Sequence, residues 1–375
     1  MSRLFESTSI NGMQLANRFV RSATWEGMAA EDGAVTPKLL ETMTALAQGG
    51  VGLIISSHSY VSPEGQATPW QIGIYKDELI PGLRQICSAI HAWGGKIVMQ
   101  LAHAGNFAAE KLTGQPALVV SDFEGLASSQ RHEIEAQDVK KIITAFAAAA
   151  VRAKAAGCDG VQVHSAHGYL LSQFLSPLFN RRRDDYGGDI RQRARIHLEV
   201  YRAIREAVGR DYPILIKMNC RDFQENGLSL EESLQAAEML AQAGFDAIEL
   251  SGGLLTGGKL SPSRPGIDSP EKEAYFREEI RTFKKSIPIP LILVGGIRSF
   301  EIAEQLVADG TADYISMSRP FIREPDLINR WKAGDRRKSE CTSDNLCFRP
   351  GFKGEGIYCV PKRREQAKST GQPAH

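Results

Sequence analysis

Between His164 and Pro177 the chain reads HSAHGYLLSQFLSP, a string that sets two imidazoles and a phenol close together. The approach to it, DGVQV from Asp159 to Val163, alternates so that Gln162 and His164 face one way and Val161 and Val163 the other. His164 is then the last side chain of a strand. His167 follows in the loop, and Tyr169 lies just beyond Gly168, which lets the backbone bend. Imidazole N–H groups can hold an oxygen that gains negative charge. A phenol, with a pKa near ~10, can give its proton to a basic carbon forming in a transition state. A capped strand with histidines satisfied by backbone carbonyls would explain one such histidine but not the whole string.

In order and spacing the string resembles a motif of the Old Yellow Enzyme family of FMN-dependent oxidoreductases. The resemblance continues through NRRRDDYGG, from Asn180 to Gly188, and the arginines Arg193 and Arg195. It implies a non-covalent FMN, NADH or NADPH as reductant, and a small-molecule substrate. That substrate would be an alkene conjugated to a carbonyl or nitro group, with His164 and His167 on its activating oxygen and Tyr169 as proton donor. The resemblance is also compatible with a homo-oligomer. Two other readings stay open. One is an amine dehydrogenase on the same fold, marked by an acidic or aromatic amine pocket. The other is a metal-dependent barrel lyase that uses His164, His167 and a carboxylate as ligands.

These residues need elements to position them. Apolar, β-rich runs recur at Phe19 to Arg21, Val51 to Ile55, Lys96 to Gln100, Gly160 to His164, Ile214 to Met218, Ala247 to Leu250, Leu291 to Val294 and Tyr314 to Met317. Helical periodicity follows each, at Pro37 to Gln48, Leu79 to Trp93, Gln137 to Ala156, Ile190 to Val208, Ser229 to Ala243, Ala274 to Ser286, Ser299 to Ala308 and Asp326 to Lys332. Ser229 with Glu232 reads as a capping box, and Gly94, Gly157 and Gly244 as glycines ending helices. Eight strands alternating with helices predict an α/β fold, a closed (β/α)8 TIM barrel with a short C-terminal extension. A doubly wound sheet would need a glycine-rich turn after the first strand, and SATWEGMAAEDG is not one. Residues 1–335 are expected to form the barrel and residues 336–375 the extension, with a polar, disordered tail after Arg363.

In such a barrel the chemistry sits at the carboxyl ends of the strands. By the resemblance, Ser22, Ala23 and Thr24 at the first strand's end would meet the flavin edge through backbone N–H groups. Trp25 stands where many relatives carry a small threonine or cysteine, so it would either narrow the pocket or pack under the rim. His58, after the second strand, would lie beside the flavin ring or be a loop histidine without a role. Gln100 matches the glutamine whose amide, donor and acceptor at once, reads the flavin's pyrimidine edge. Lys217, in the apolar strand ILIKMN, needs a partner because an unpaired buried ammonium is costly; the resemblance gives it the flavin, with charge but no bidentate fork. Gly295, Gly296, Ser318 and Arg319 would form a phosphate cradle together with helix N-termini. The loop LLTGGKLSPSRPG is a substrate-side or lid candidate.

The whole chain has 375 residues, 42% hydrophobic and 24% charged, with a formal net charge of +1. That balance describes an ordinary globular protein and gives no basic excess for nucleic acid or an anionic membrane. The start lacks the apolar core of a signal peptide, and AFAAAAV near Phe146 is too short to span a bilayer, so a cytoplasmic protein is expected. Of the cysteines, Cys87, Cys158 and Cys220 fall in core elements and suit reduced thiols. Cys341, Cys347 and Cys359 lie in the extension, where some larger relatives bind a four-iron cluster through four cysteines. Asp344 occupies the second ligand position, so no iron–sulfur cluster is expected. A zinc site of three sulfurs and a carboxylate is the minor alternative.

Overall fold

The computed structural model describes residues 2–124 and 130–370. Eight strands close into one barrel: β1 (Phe19–Arg21), β2 (Leu53–Tyr60), β3 (Lys96–Ala102), β4 (Gly160–Ser165), β5 (Ile214–Asn219), β6 (Ala247–Ser251), β7 (Leu291–Val294) and β8 (Tyr314–Met317). All neighbours run parallel, and β8 returns to β1 with Ile315, Ser316 and Met317 opposite Phe19, Val20 and Arg21. Closure leaves no edge strand exposed. Helices lie between the strands, among them Pro37–Gln48, Ile80–His91, Ala136–Ala155, Arg195–Val208 and Leu230–Ala243.

Alternation along each strand divides the molecule into layers. Side chains pointing outward, such as Ile54, Met99, Val161, Ile216, Ile248, Leu293 and Ile315, build the main apolar core against the helices. Those pointing inward change character along the barrel. Val20, Leu53, Ile55, Val98, Leu215, Ala247, Ile292 and Tyr314 form an apolar plug at the amino ends of the strands. A hairpin of Thr8–Ile10 paired with Met13–Leu15 closes it from below through Ile10, Met13 and Leu15. Its turn, Asn11-Gly12, has both φ values positive, the geometry that this dipeptide favours. Further up, the inward residues are polar: Gln100, Gln162, Lys217, Glu249 and Ser316, all buried.

Three sequence expectations shift in the structure. The helix expected over Ile190 to Val208 is two pieces, Ile190–Arg193 and Arg195–Val208, because the guanidinium of Arg193 is drawn inward to the carbonyl of Leu175 and the carboxylate of Glu232. The helix expected from Ala274 starts only at Arg277, since Ala274 itself has φ +52. The tail expected to be disordered after Arg363 continues as a helix, Val360–Thr370. Arg323 pins it by an ion pair to Glu365 at 2.6 Å, and Lys362 donates to the Arg323 carbonyl at 2.9 Å. Residues 371–375 of that tail lie outside the described residues. The Ser229–Glu232 capping box and the left-handed Gly244 are present as expected. Among the described residues no helix is long and apolar enough to cross a membrane.

Candidate active site

The carboxyl ends of the strands surround a cavity of about 410 Å³. Its lining includes Ser22, Ala23, Thr24, Trp25, His58, Gln100, His164, His167, Tyr169, Lys217, Gly296, Ser318 and Arg319. Of the expected site residues only Gly295 stands behind the wall, where a Cβ would meet the rings of Tyr275 and Phe276 at 3.1 Å.

The end of β4 carries the two imidazoles. His167 adopts φ +66, unusual for a side chain with a Cβ, and three neighbours hold it there. The Asn219 carboxamide oxygen accepts from its backbone N–H at 3.0 Å, its Nε2 lies 2.8 Å from Ser251 Oγ, and its carbonyl accepts from Leu255 N. The His164 ring lies 4.7 Å from that of Tyr169 and 5.5 Å from that of His167. Burial, followed by the nearby His167, His58 and Lys217, pushes the pKa of His164 well below its usual value; burial with Lys217 and His58 does the same to His167. Both rings are therefore neutral near pH 7, with one N–H each. His164 Nδ1 is buried without a partner in the protein. Burial raises the Tyr169 pKa, so the phenol stays protonated.

Between Ile55 and His58 the β2–β3 register shifts, a bulge that sets His58 opposite Gln100. Below the cavity a closed polar chain runs across the barrel. Gln100 Nε2 donates to Gln162 Oε1 at 2.7 Å, and Gln162 Nε2 donates to Glu249 Oε2 at 3.0 Å. Glu249 Oε1 accepts from Ser22 Oγ at 2.7 Å and Ser316 Oγ at 2.8 Å, while Lys217 Nζ sits 3.3 Å away and donates to Ser22 Oγ at 2.7 Å. Burial alone would raise the pKa of Glu249, but Lys217 and the three hydrogen bonds outweigh it and the net shift is downward. Lys217 thus has a partner in the protein itself. That partner was legible: the alternation of AIELS turns Glu249 inward on β6, directly beside Lys217 on β5.

At the opposite end, Ser318 Oγ lies 2.6 Å from Thr24 Oγ1, which donates to the Ser22 carbonyl, so the bridging proton belongs to Ser318. Arg319 Nη1 donates to the Arg264 carbonyl and to Asn345 Oδ1. Arg298, which no motif singled out, is a second buried arginine in the lining. Just before the helix Phe300–Ala308, the Glu273 carboxylate accepts from the backbone N–H groups of Arg298 and Ser299 and from Ser299 Oγ. Gly296, Arg319 and Arg298 lie in the lining, where they can meet an anion.

The C-terminal segment completes the wall through Ser343, Asn345, Phe348 and Phe352. Asn345 also donates to the Ser263 carbonyl, tying the lid-candidate loop to Arg319. Trp25 both lines the cavity and packs, its ring 4.7 Å from that of Phe352 and against Gly27 and Gly351. Trp25→Ala is expected to improve kcat/KM for bulky substrates more than for small ones. A variant that only loses thermal stability, with its substrate-size profile unchanged, would make Trp25 a packing residue alone. Asp344 in this segment accepts from Leu346 N and Thr342 Oγ1. Among the described residues no three His, Cys, Asp or Glu side chains converge as a metal site.

The donor set fits FMN. An amide and an ammonium at one end complement an imide edge, and two arginines at the other complement a phosphate. The buried Nδ1 of His164 and Nε1 of Trp25 have no hydrogen-bond partner in the protein.

Comparison with known proteins agrees. Residues 3–338 match the model of the NADH:flavin oxidoreductase / NADH oxidase family. An NADH oxidase of Thermoanaerobacter brockii is 37% identical over 355 residues, 92% of this chain but 53% of that protein, so the chain spans about half the length of this relative. A 2-naphthoyl-CoA reductase superposes with TM-score 0.88 at 26% identity, over 96% of this chain and 56% of that one. An old yellow enzyme homologue from Zymomonas mobilis gives TM-score 0.76 at 25% identity, over 93% and 98%. The strand-end constellation and these matches together establish that the chain belongs to the NADH:flavin oxidoreductase / NADH oxidase family, the Old Yellow Enzyme group, which binds FMN and uses NADH or NADPH.

Proposed function

We propose that this chain reduces alkenes conjugated to a carbonyl or nitro group, with Tyr169 as the proton donor. The observation that carries the reading is the ring cluster of His164, His167 and Tyr169 on one wall of the cavity. The chemistry that FMN supplies when bound is hydride transfer, from NADH or NADPH to the β carbon of the alkene. Gln100, Lys217 and the backbone of Ala23 and Thr24 would hold its ring end, the Ser22 N–H being given to the Met317 carbonyl, and Gly296, Arg319 and Arg298 would hold its phosphate. Neutral His164 and His167 each offer an N–H to the substrate oxygen, which becomes enolate-like as the alkene is reduced. Tyr169, kept protonated by burial, then has a proton for the α carbon.

Of the two marks of an amine pocket, the acidic one is missing among the described residues that line the cavity, where Lys217, Arg298 and Arg319 are cationic, while the aromatic one is present in Trp25, Tyr169, Tyr275, Phe348 and Phe352.

The test is direct. Acid-released flavin should be FMN, and NADH or NADPH oxidation should be stimulated by an enone. Release of FAD, or nicotinamide oxidation indifferent to every activated alkene, would overturn the reading. His164→Ala and His167→Ala should each weaken a phenolate inhibitor by roughly 10- to 100-fold, the worth of one hydrogen bond to a charged acceptor. Titration of the flavin charge-transfer band reads this, and unchanged affinity in both would move the oxyanion site elsewhere.

A further inference from the structure

We infer that Gln71 and His58 form a positioning relay that fixes the proton of Tyr169 for delivery to substrate. The inference rests on the proton-donor reading of Tyr169 and goes beyond it, since Gln71 has no place in that reading and His58 was expected either beside the flavin ring or as a loop histidine without a role.

The geometry determines each proton in turn. Gln71 is buried, and its amide is fully used: Oε1 accepts from the backbone N–H groups of Ala67 at 2.8 Å and Thr68 at 3.3 Å. Backbone N–H groups only donate, so the oxygen must face them and the amide has one orientation. Its NH2 group then faces His58. One hydrogen goes to the His58 carbonyl at 2.9 Å and the other to Nδ1 at 2.7 Å. An NH2 hydrogen needs a lone pair to meet, so Nδ1 is unprotonated. The imidazole carries its proton on Nε2.

His58 Nε2 lies 3.3 Å from Tyr169 Oη. With the hydrogen on Nε2, the phenol oxygen accepts, and its own O–H is not spent on His58. The phenol proton is left to turn into the cavity. With the opposite tautomer, the phenol would donate to Nε2, and that bond would have to break before any proton reached substrate. The ring is also neutral, as the relay requires: burial lowers the His58 pKa to about 4, against a smaller opposing effect of the backbone. The register shift in β2 is what carries His58 to this place, with its ring 5.3 Å from that of Tyr169 and stacked 6.4 Å from that of His164.

Gln71→Glu is the discriminating substitution, because it keeps the shape and removes the NH2 group. A carboxylate can still accept from Ala67 and Thr68, but its second oxygen demands a hydrogen on His58 Nδ1. The tautomer should reverse, and Tyr169 should then donate to His58. Two measurements on the flavin-loaded enzyme read this. Nitrogen NMR of labelled histidine rings should show His58 protonated at Nε2 in the native protein and at Nδ1 in Gln71→Glu. Rapid mixing should show reoxidation by an enone slowed by at least about tenfold, one hydrogen bond to be broken first, while reduction by the nicotinamide is unchanged. A native His58 protonated at Nδ1 would overturn the relay whatever Tyr169 does. A reversed tautomer with unchanged reoxidation would overturn it too, and Tyr169→Phe then locates the fault. If that variant also reoxidises normally, the proton-donor reading has failed. If it is slow, only the relay has. Equal slowing of both half-reactions in Gln71→Glu would reduce Gln71 to a packing residue and likewise overturn the proposal.

Discussion

Tyr169→Phe is expected to leave reduction of the bound flavin by NADH or NADPH nearly intact and to slow its reoxidation by an enone by roughly 10²- to 10⁴-fold, the usual contribution of a general acid. Only the second step consumes a proton at carbon, so only that step should respond. The phenylalanine ring keeps the contacts the phenol makes through its face, 4.7 Å from His164 and 5.9 Å from Phe107, and loses only the hydroxyl. A fold defect therefore does not mimic the effect. Raising the pH should not restore the variant, and the native enzyme should keep its proton donor through neutral pH, because burial places the phenol above its usual pKa. Rapid-mixing measurements of each half-reaction decide the matter. Equal slowing of both would mean that Tyr169 orients ligands and does not protonate them.

The parts of this site that were legible in the sequence share one property: each lies on a strand or within a few residues of its end. Alternation then dictates which side chains enter the barrel, and His164, Gln100 and Lys217 follow from it. Glu249 and Gln162 obey the same rule, and an apolar strand with one inward carboxylate beside one inward lysine is a readable pair. What was not legible depends on long-range return of the chain. Asn345 reaches the cavity because the C-terminal segment folds back, bridging Ser263 and Arg319, whereas Arg298 lies just past the end of β7 and was open to the same rule. Gln71 belongs with Asn345, since no local pattern links it to Tyr169. The Asn11-Gly12 hairpin had a local signal, but its strands, Thr8–Ile10 and Met13–Leu15, are too short to show alternation. The helix through Thr370 had none, for its polar sequence is held by Arg323, far back in the chain.

The largest effect on stability is expected at Glu249. Its carboxylate is fully buried and satisfies Ser22, Ser316, Gln162 and Lys217 at once. Glu249→Gln keeps the volume but leaves the Lys217 ammonium buried without its counter-ion, a loss of about 3–5 kcal/mol when one partner of a buried pair is removed. The change also propagates. If the new amide keeps its oxygen toward the two serines, its NH2 meets the NH2 of Gln162, which must flip. Gln162 then turns its NH2 toward that of Gln100, which must flip in turn. The amide expected to read the flavin would be reversed through one intervening side chain, Gln162, so FMN affinity should fall along with stability. The pH dependence has a fixed sign. Glu249 has a folded-state pKa below its ordinary value of about 4.3, so its contribution is complete above that value and is lost as pH falls through the folded pKa. The stability gap between native protein and variant should therefore be full at neutral pH and close in acid. Urea unfolding of the two flavin-free proteins across that range checks this, and a gap under roughly 1 kcal/mol at neutral pH would mean that the Lys217–Glu249 pair adds little net stability to the fold.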